Sequence, residues 1–181
     1  PDAPCAAEWL AVGGEGEMAQ VLADWGDERR ARRLAAELVR RRDRSPLLVS
    51  DDLVNAIRAV LGPRSGPGDF ARIFQAVRIA VNDELGGLAR ALPAFRDALT
   101  AGGTLAVISN HSGEDRLVKH AIREWSTGCI CPPSLPRCAC GRTPLGEASP
   151  RRAIVPSDSE LARNPRARSA RLRFFRRADR D

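Results

Sequence analysis

The chain has 181 residues, 43% of them hydrophobic, with a mean hydropathy of −0.30. That is enough apolar content for a packed core and excludes wholesale disorder. Five Phe and three Trp with no Tyr make the core mainly aliphatic. No apolar run reaches the ~18 residues of a membrane helix, and Pro1-Asp2-Ala3-Pro4 has neither the basic nor the apolar stretch of a secretory signal. A start at Pro1 rather than Met is expected of a chain that begins partway into a longer protein. The net charge is +6, and all but one of the 29 basic residues are arginines, Lys119 being the exception. Residues 27–44 hold eight Arg and residues 164–181 hold seven. Such patches suit phosphate oxygens, which the guanidinium fork binds bidentately, although solvated helix faces look similar.

In chain order, the spacing first predicts short helices. Met18, Val21, Leu22 and Trp25 form one apolar stripe, stopped by Gly26, and Ala31, Leu34, Ala35, Leu38 and Val39 form a second with arginines opposite. Ser50 is expected to cap a third helix, with Leu53, Ile57, Val60 and Leu61 on its buried side. The segment Gly62 to Gly68 reads as a linker. A long helical pattern follows from Phe70 to Leu92, broken or kinked at Pro93. Thr104 to Ser109 is nearly all apolar, as expected of a strand buried on both faces of a parallel sheet. Ser112 with Asp115 resembles a capping box opening a helix through Trp125, and Ser157 with Glu160 resembles another. Ala153-Ile154-Val155 is a short strand candidate, and Ala170 to Phe175 reads as a strand at an edge. Gly13-Gly14-Glu15-Gly16 follows no apolar strand and reads as a turn, not a nucleotide loop. Helices joined to strand–helix–strand units indicate an α/β sheet with an added helical domain, yet three strands are few for an open sheet.

Three groups of side chains bear on chemistry. Ser109, Asn110, His111 and Ser112 lie beyond the carboxyl end of a strand, where open α/β sheets bind ligands. His111 there either accepts a proton or merely caps the next helix. Cys129-x-Cys131 and Cys138-x-Cys140 form a four-thiolate set that can satisfy tetrahedral zinc, with Pro132-Pro133 and Pro136 stiffening the loop between. Reduced surface thiols are the alternative. Arg166, Arg168, Arg171 and Arg173 are the leading phosphate candidates, and alternation places Arg171 and Arg173 on one side of a strand. Arg29, Arg30, Arg32 and Arg33 form a second patch, and Arg116 contacts phosphate or an internal acid.

Four ordered segments resemble a known family. Phe74-Gln75-Ala76-Val77-Arg78-Ile79-Ala80-Val81-Asn82-Asp83-Glu84-Leu85 is similar to the bacterial 16S ribosomal RNA cytosine-N4 methyltransferases, the MraW/RsmH family. Ile108 to Arg116 resembles that family's Ser-Phe-His-Ser-Leu-Glu-Asp-Arg segment, with Asn110 in place of Phe and Gly113 in place of Leu. Cys129 to Gly141 resembles its Cys-x-Cys-Pro-Pro…Cys-x-Cys-Gly loop, and Asn164 to Arg173 its C-terminal signature. Gly68-Asp69-Phe70-Ala71 departs from the family's His-Pro-Ala-Thr.

The resemblance implies the C-terminal portion of a class I, Rossmann-like methyltransferase sheet. Residues 1–66 would be a helical insertion for substrate recognition, and 67–181 the last part of the catalytic domain. It implies S-adenosylmethionine as methyl donor, bound by residues upstream of Pro1. The substrate would be a cytosine in the decoding region of 16S rRNA on the small ribosomal subunit, in the bacterial cytoplasm, with neither DNA nor membrane as partner. Asn82 and Asp83, which otherwise read as an ordinary polar helix face, would face the active-site cleft, and His111 would be a further catalytic residue. The 181 residues alone are expected not to transfer methyl groups, and the alternative is a non-catalytic, basic RNA-binding module.

Overall fold

The computed structural model describes residues 5–132 and 137–179, so Pro133 and Pro136 lie outside the described residues. The chain falls into two compact units, Pro1–Glu84 and Leu85–Asp181. No described helix is long and apolar enough to cross a membrane.

The first unit is helical: α1 (Ala6–Val12), α2 (Glu15–Asp24), α3 (Ala31–Arg42), α4 (Ser50–Leu61) and α5 (Pro67–Val81). Met18, Leu22, Leu34, Leu38, Ile57 and Ile73 are fully buried in one cluster, as the stripes predict. Gly13 and Gly14 join α1 to α2 and follow no strand. A Cβ on Gly13 would sit 2.9 Å from the Trp9 carbonyl, so only glycine fits that turn. At α4, Ser50 lies inside the helix instead of capping it. Asp52 does the capping, its carboxylate accepting from the N–H groups of Leu48 (2.9 Å) and Val49 (3.0 Å). The Gly62–Gly68 segment lies within this unit, because α5 beyond it buries Ile73 and Val77 in the same core.

Arginines close several helix ends here. Arg30 donates to the carbonyls of Val60 and Leu61 at the end of α4. Arg42 donates to those of Leu10 and Gly13 at the end of α1, and Arg72 to that of Gly26 beyond α2 while pairing with buried Glu28 at 2.8 Å. The last carbonyls of a helix lack intrahelical donors and carry its negative dipole end, so a guanidinium satisfies both needs.

The second unit holds α6 (Glu84–Ala98, with Glu84 in the first unit), β1 (Thr104–Ser109), α7 (Ser112–Trp125), β2 (Gly146–Glu147), α8 (Asp158–Arg163), a 3-10 helix (Pro165–Ser169) and β3 (Arg171–Arg177). The long pattern from Phe70 breaks at Asn82-Asp83, and α6 runs on through Pro93. Asp83 adopts a left-handed φ of 47°, which a short polar side chain tolerates and a helix interior does not.

The three-stranded sheet has the order β1-β3-β2 and is antiparallel, correcting the parallel expectation for β1. β3 is also central, not an edge strand: β1 pairs along one side, and β2 with an isolated Ile154–Leu172 bridge along the other. The run Ala153-Ile154-Val155 contributes only that bridge. Leu105 opposite Phe175 and Val107 opposite Arg173 share the face that α7 covers. There Leu92, Val118, Ile122, Trp125 and Phe175 form the core, with the Trp125 and Phe175 rings edge-to-face at 5.1 Å. The opposite face of β1 is bare, and Ile108 is 65% exposed. An apolar strand sequence therefore reflects burial on one face here. A doubly wound Rossmann-like sheet needs more strands than these three.

Candidate functional site

Ser109 pairs with Arg171, so the turn leaving β1 and the 3-10 helix entering β3 emerge at the same end of the sheet. Ser109 is 2% exposed, its Oγ donating to the Arg171 carbonyl at 3.3 Å. Beyond it, His111 and not Ser112 is the N-cap of α7, and Glu114 and not Asp115 completes the box. The Glu114 N–H donates to His111 Nδ1 at 3.3 Å. Its carboxylate accepts from the Asn110 and His111 N–H groups at 2.8 and 3.4 Å.

His111 Nε2 lies 3.3 Å from Glu114 Oε1, buried and off the line of a hydrogen bond. With Nδ1 accepting, a neutral ring carries its proton on Nε2. The imidazole as placed is thus a helix cap with an N–H to donate, and its lone pair is occupied. Gly113 is buried beneath it: a Cβ there would meet the ring and Leu85 at 3.2 Å.

On the β3 side, Ala167 is buried while Arg166 and Arg168 flank it, both exposed. Arg171 and Arg173 do share one strand face, but Arg173 is committed to Asp115 of α7 through two hydrogen bonds of 2.7 and 3.0 Å. Those bonds hold the Asp115 carboxyl below the ordinary carboxylate range despite partial burial. Arg116 is exposed on α7. Lys119, Arg123 and Arg151 line a cleft of about 440 Å³ together with Arg173 and Phe174. Sequence reasoning passed over that cleft, although Lys119 and Arg123 stand one helical turn apart.

Asn82 and Asp83 belong to the first unit, and His111 to the second. Asn82 ends α5, its amide donating to Glu84 at 3.1 Å, and lines an apolar groove of about 680 Å³ with Leu48, Val49, Phe74 and Arg78. In the first patch, Arg30 is spent on helix carbonyls, while Arg29, Arg32 and Arg33 are exposed.

The four cysteines after α7 converge, all four sulfurs lying within 4.8 Å of one another. The N–H groups of Arg142 and Ile130, with the neighbouring thiols, draw Cys140 down to about 6. At Cys129 the N–H of Cys131 acts in the same sense, but three crowding thiols outweigh it and the group rises to about 11. Four converging sulfurs form the donor set of a soft metal site.

The model of the MraW methylase family matches residues 2–178. The chain is 59% identical to ribosomal RNA small subunit methyltransferase H of Gemmatimonas aurantiaca, over 96% of this chain and 55% of that protein. It is 51% identical to the protein of the same name from Rubrobacter xylanophilus, over 97% of this chain and 56% of the relative. For that of Heliobacterium modesticaldum the identity is 48%, over 93% and 55%. The chain thus spans about half the length of these curated relatives. A match across nearly every residue places it by descent: the chain belongs to the MraW methylase family.

Proposed function

We propose that this chain is the C-terminal, RNA-facing portion of an S-adenosylmethionine-dependent methyltransferase that modifies N4 of a cytosine in the decoding region of 16S rRNA, in the bacterial cytoplasm. The observation that carries the reading is the shared end of β1 and β3, from which the His111–Glu114 cap and the Arg166–Arg168 helix both emerge. In a larger Rossmann-like sheet, of which these strands would be the last, that end is where ligands sit.

Among the described residues nothing fits the methyl donor. Gly13-Gly14-Glu15-Gly16 joins α1 to α2, and Gly66-Pro67-Gly68 opens α5 after α4, so neither cluster offers a strand-to-helix phosphate or nucleotide turn. The donor would be held by residues other than these, and this chain alone would not transfer methyl groups.

Cytosine N4 is a poor nucleophile because its lone pair is conjugated into the ring, so acceptors on its amino protons and a fixed approach would supply the catalysis. From the resemblance, Asn82 and Asp83 of the first unit would be candidates for that task. His111, its Nδ1 held by the α7 backbone, would shape the turn and donate from Nε2, and would not remove the proton. Arg166, Arg168, Arg171 and exposed Arg116 would contact phosphate, whereas Arg173 would brace the strand through Asp115.

Replacing Arg166 and Arg168 together by Ala tests the RNA surface. Affinity for a 16S rRNA fragment should fall and the salt-dependence slope should flatten by about 1 per arginine. Unchanged affinity and slope, measured by filter binding across a salt series, would remove the 3-10 helix from the interface.

A further inference from the structure

Between α7 and β2 the chain makes an excursion containing no helix or strand among its described residues, 126–132 and 137–145. Its two ends are drawn together. The Leu145 N–H donates to the Trp125 carbonyl at 2.8 Å, and Arg142 Nη2 to that of Glu124 at 2.9 Å, closing the end of α7. The Ala178 N–H then donates to the Leu145 carbonyl at 2.9 Å, tying the returning strand to the end of β3. Ordering such a closed loop costs backbone entropy. None of its described residues is buried, so apolar packing does not offset that cost.

What converges inside the loop is sulfur. Cys138 Sγ lies 3.5 Å from Cys140 Sγ, and Cys140 Sγ lies 3.7 Å from Cys129 Sγ. These separations are far longer than the ~2.05 Å of a disulfide. They match the edge of a tetrahedron of thiolates about 2.3 Å from a central zinc, which works out to about 3.8 Å. Backbone N–H groups already point at the sulfurs, Cys131 N–H to Cys129 Sγ and Ala139 N–H to Cys131 Sγ, each at 3.4 Å. Such donors stabilise thiolate charge in a metal knuckle, the outer-shell support that tunes ligands. With no carboxylate or imidazole in the set, the donors favour a tetrahedral, thiophilic ion over calcium or magnesium.

We infer that Cys129, Cys131, Cys138 and Cys140 bind one zinc ion, a structural site that staples the loop joining α7 to β2. Four thiolates close the tetrahedron and leave no open position for substrate or water, so the ion holds structure and does no chemistry. Its place is taken from the loop's geometry and not from the methyltransferase reading. Binding to a site that the unfolded chain lacks stabilises the fold, and here the stabilisation falls on the β2–β3 pairing and the end of α7.

Cobalt(II) titration of the reduced, metal-free 181-residue chain tests this. The expected result is one cobalt per chain, with thiolate charge-transfer absorption and tetrahedral d–d bands that zinc erases. Cys129→Ser and Cys140→Ser should lose the charge-transfer band, and Cys5→Ser, in the other unit, should keep it. Thiol reactivity of the unsubstituted chain guards against misfolded variants: with zinc bound, Cys5 alone should react rapidly, and a chelator should release the remaining four. An octahedral cobalt spectrum, five equally reactive thiols in the presence of zinc, or purification with stoichiometric iron would overturn the assignment.

Discussion

Among the described residues, fourteen buried side chains meet in one cluster in the helical unit, whereas five make up the core of the sheet unit. The helical unit folds from stripes visible in its own sequence, each helix burying one face against its neighbours. The sheet unit covers one face of β1 and β3 with α7 and leaves Ile108 bare on the other. It ties α7 to β3 through a bidentate ion pair, Arg173–Asp115, and adds the four-cysteine loop, which has no counterpart among the described residues of the helical unit. A small core leaves a larger share of the unit's stability to such polar contacts, which respond to pH as well as to substitution.

The largest effect should come from the cores themselves. Phe175→Ala removes the ring that meets Trp125 and should cost about 3–5 kcal/mol, which a five-residue core cannot absorb. Hydrogen exchange should then show β1, β3 and α7 losing protection while α2 to α4 keep theirs. Leu34→Ala, at about 2–5 kcal/mol, should give the reverse pattern. A uniform loss across both units in either variant would break the comparison.

A smaller effect should follow from the ion pair. Asp115 is depressed in the folded state by Arg173, so it contributes stability fully above the unfolded carboxylate value of about 3.9, and that contribution is lost as pH falls through the lower folded value. Asp115→Asn should remove this acid limb from a stability–pH profile and cost about 1–2 kcal/mol near neutrality, since the pair is only partly exposed. An acid limb unchanged in the variant would assign it elsewhere. Glu37, drawn down to about 2 chiefly by its hydrogen bond with Arg40, marks where a residual limb would lie, in the helical unit.

The helical unit was legible because its stripes are local: Met18, Leu22, Leu34, Leu38 and Ile57 sit where a period of 3.6 puts them. The sheet was less so. β2 is two residues long, and its pairing with β3 depends on the chain returning from the cysteine loop, information that periodicity does not carry. Parallel and antiparallel placement of β1 produce the same apolar run, and only the partner strand decides. Capping failed by one residue at α4 and α7, because a carboxylate at the third position caps as well as a hydroxyl before it.

At the site, the cysteines were legible from spacing alone. Arginine has a structural use that charge clustering does not reveal. Arg30, Arg42, Arg72, Arg142 and Arg177 each satisfy carbonyls at helix ends, a use that no local pattern reveals because the partners lie far along the chain. Arg166 and Arg168 are exposed on a short helix anchored by Ala167.

The account turns on where the methyl donor binds. Isothermal titration of the folded 181-residue chain with S-adenosylmethionine measures this directly. No saturable heat is predicted, because the glycine clusters that open α2 and α5 follow helices and offer no strand-to-helix donor loop. Tight binding at one donor per chain would contradict it.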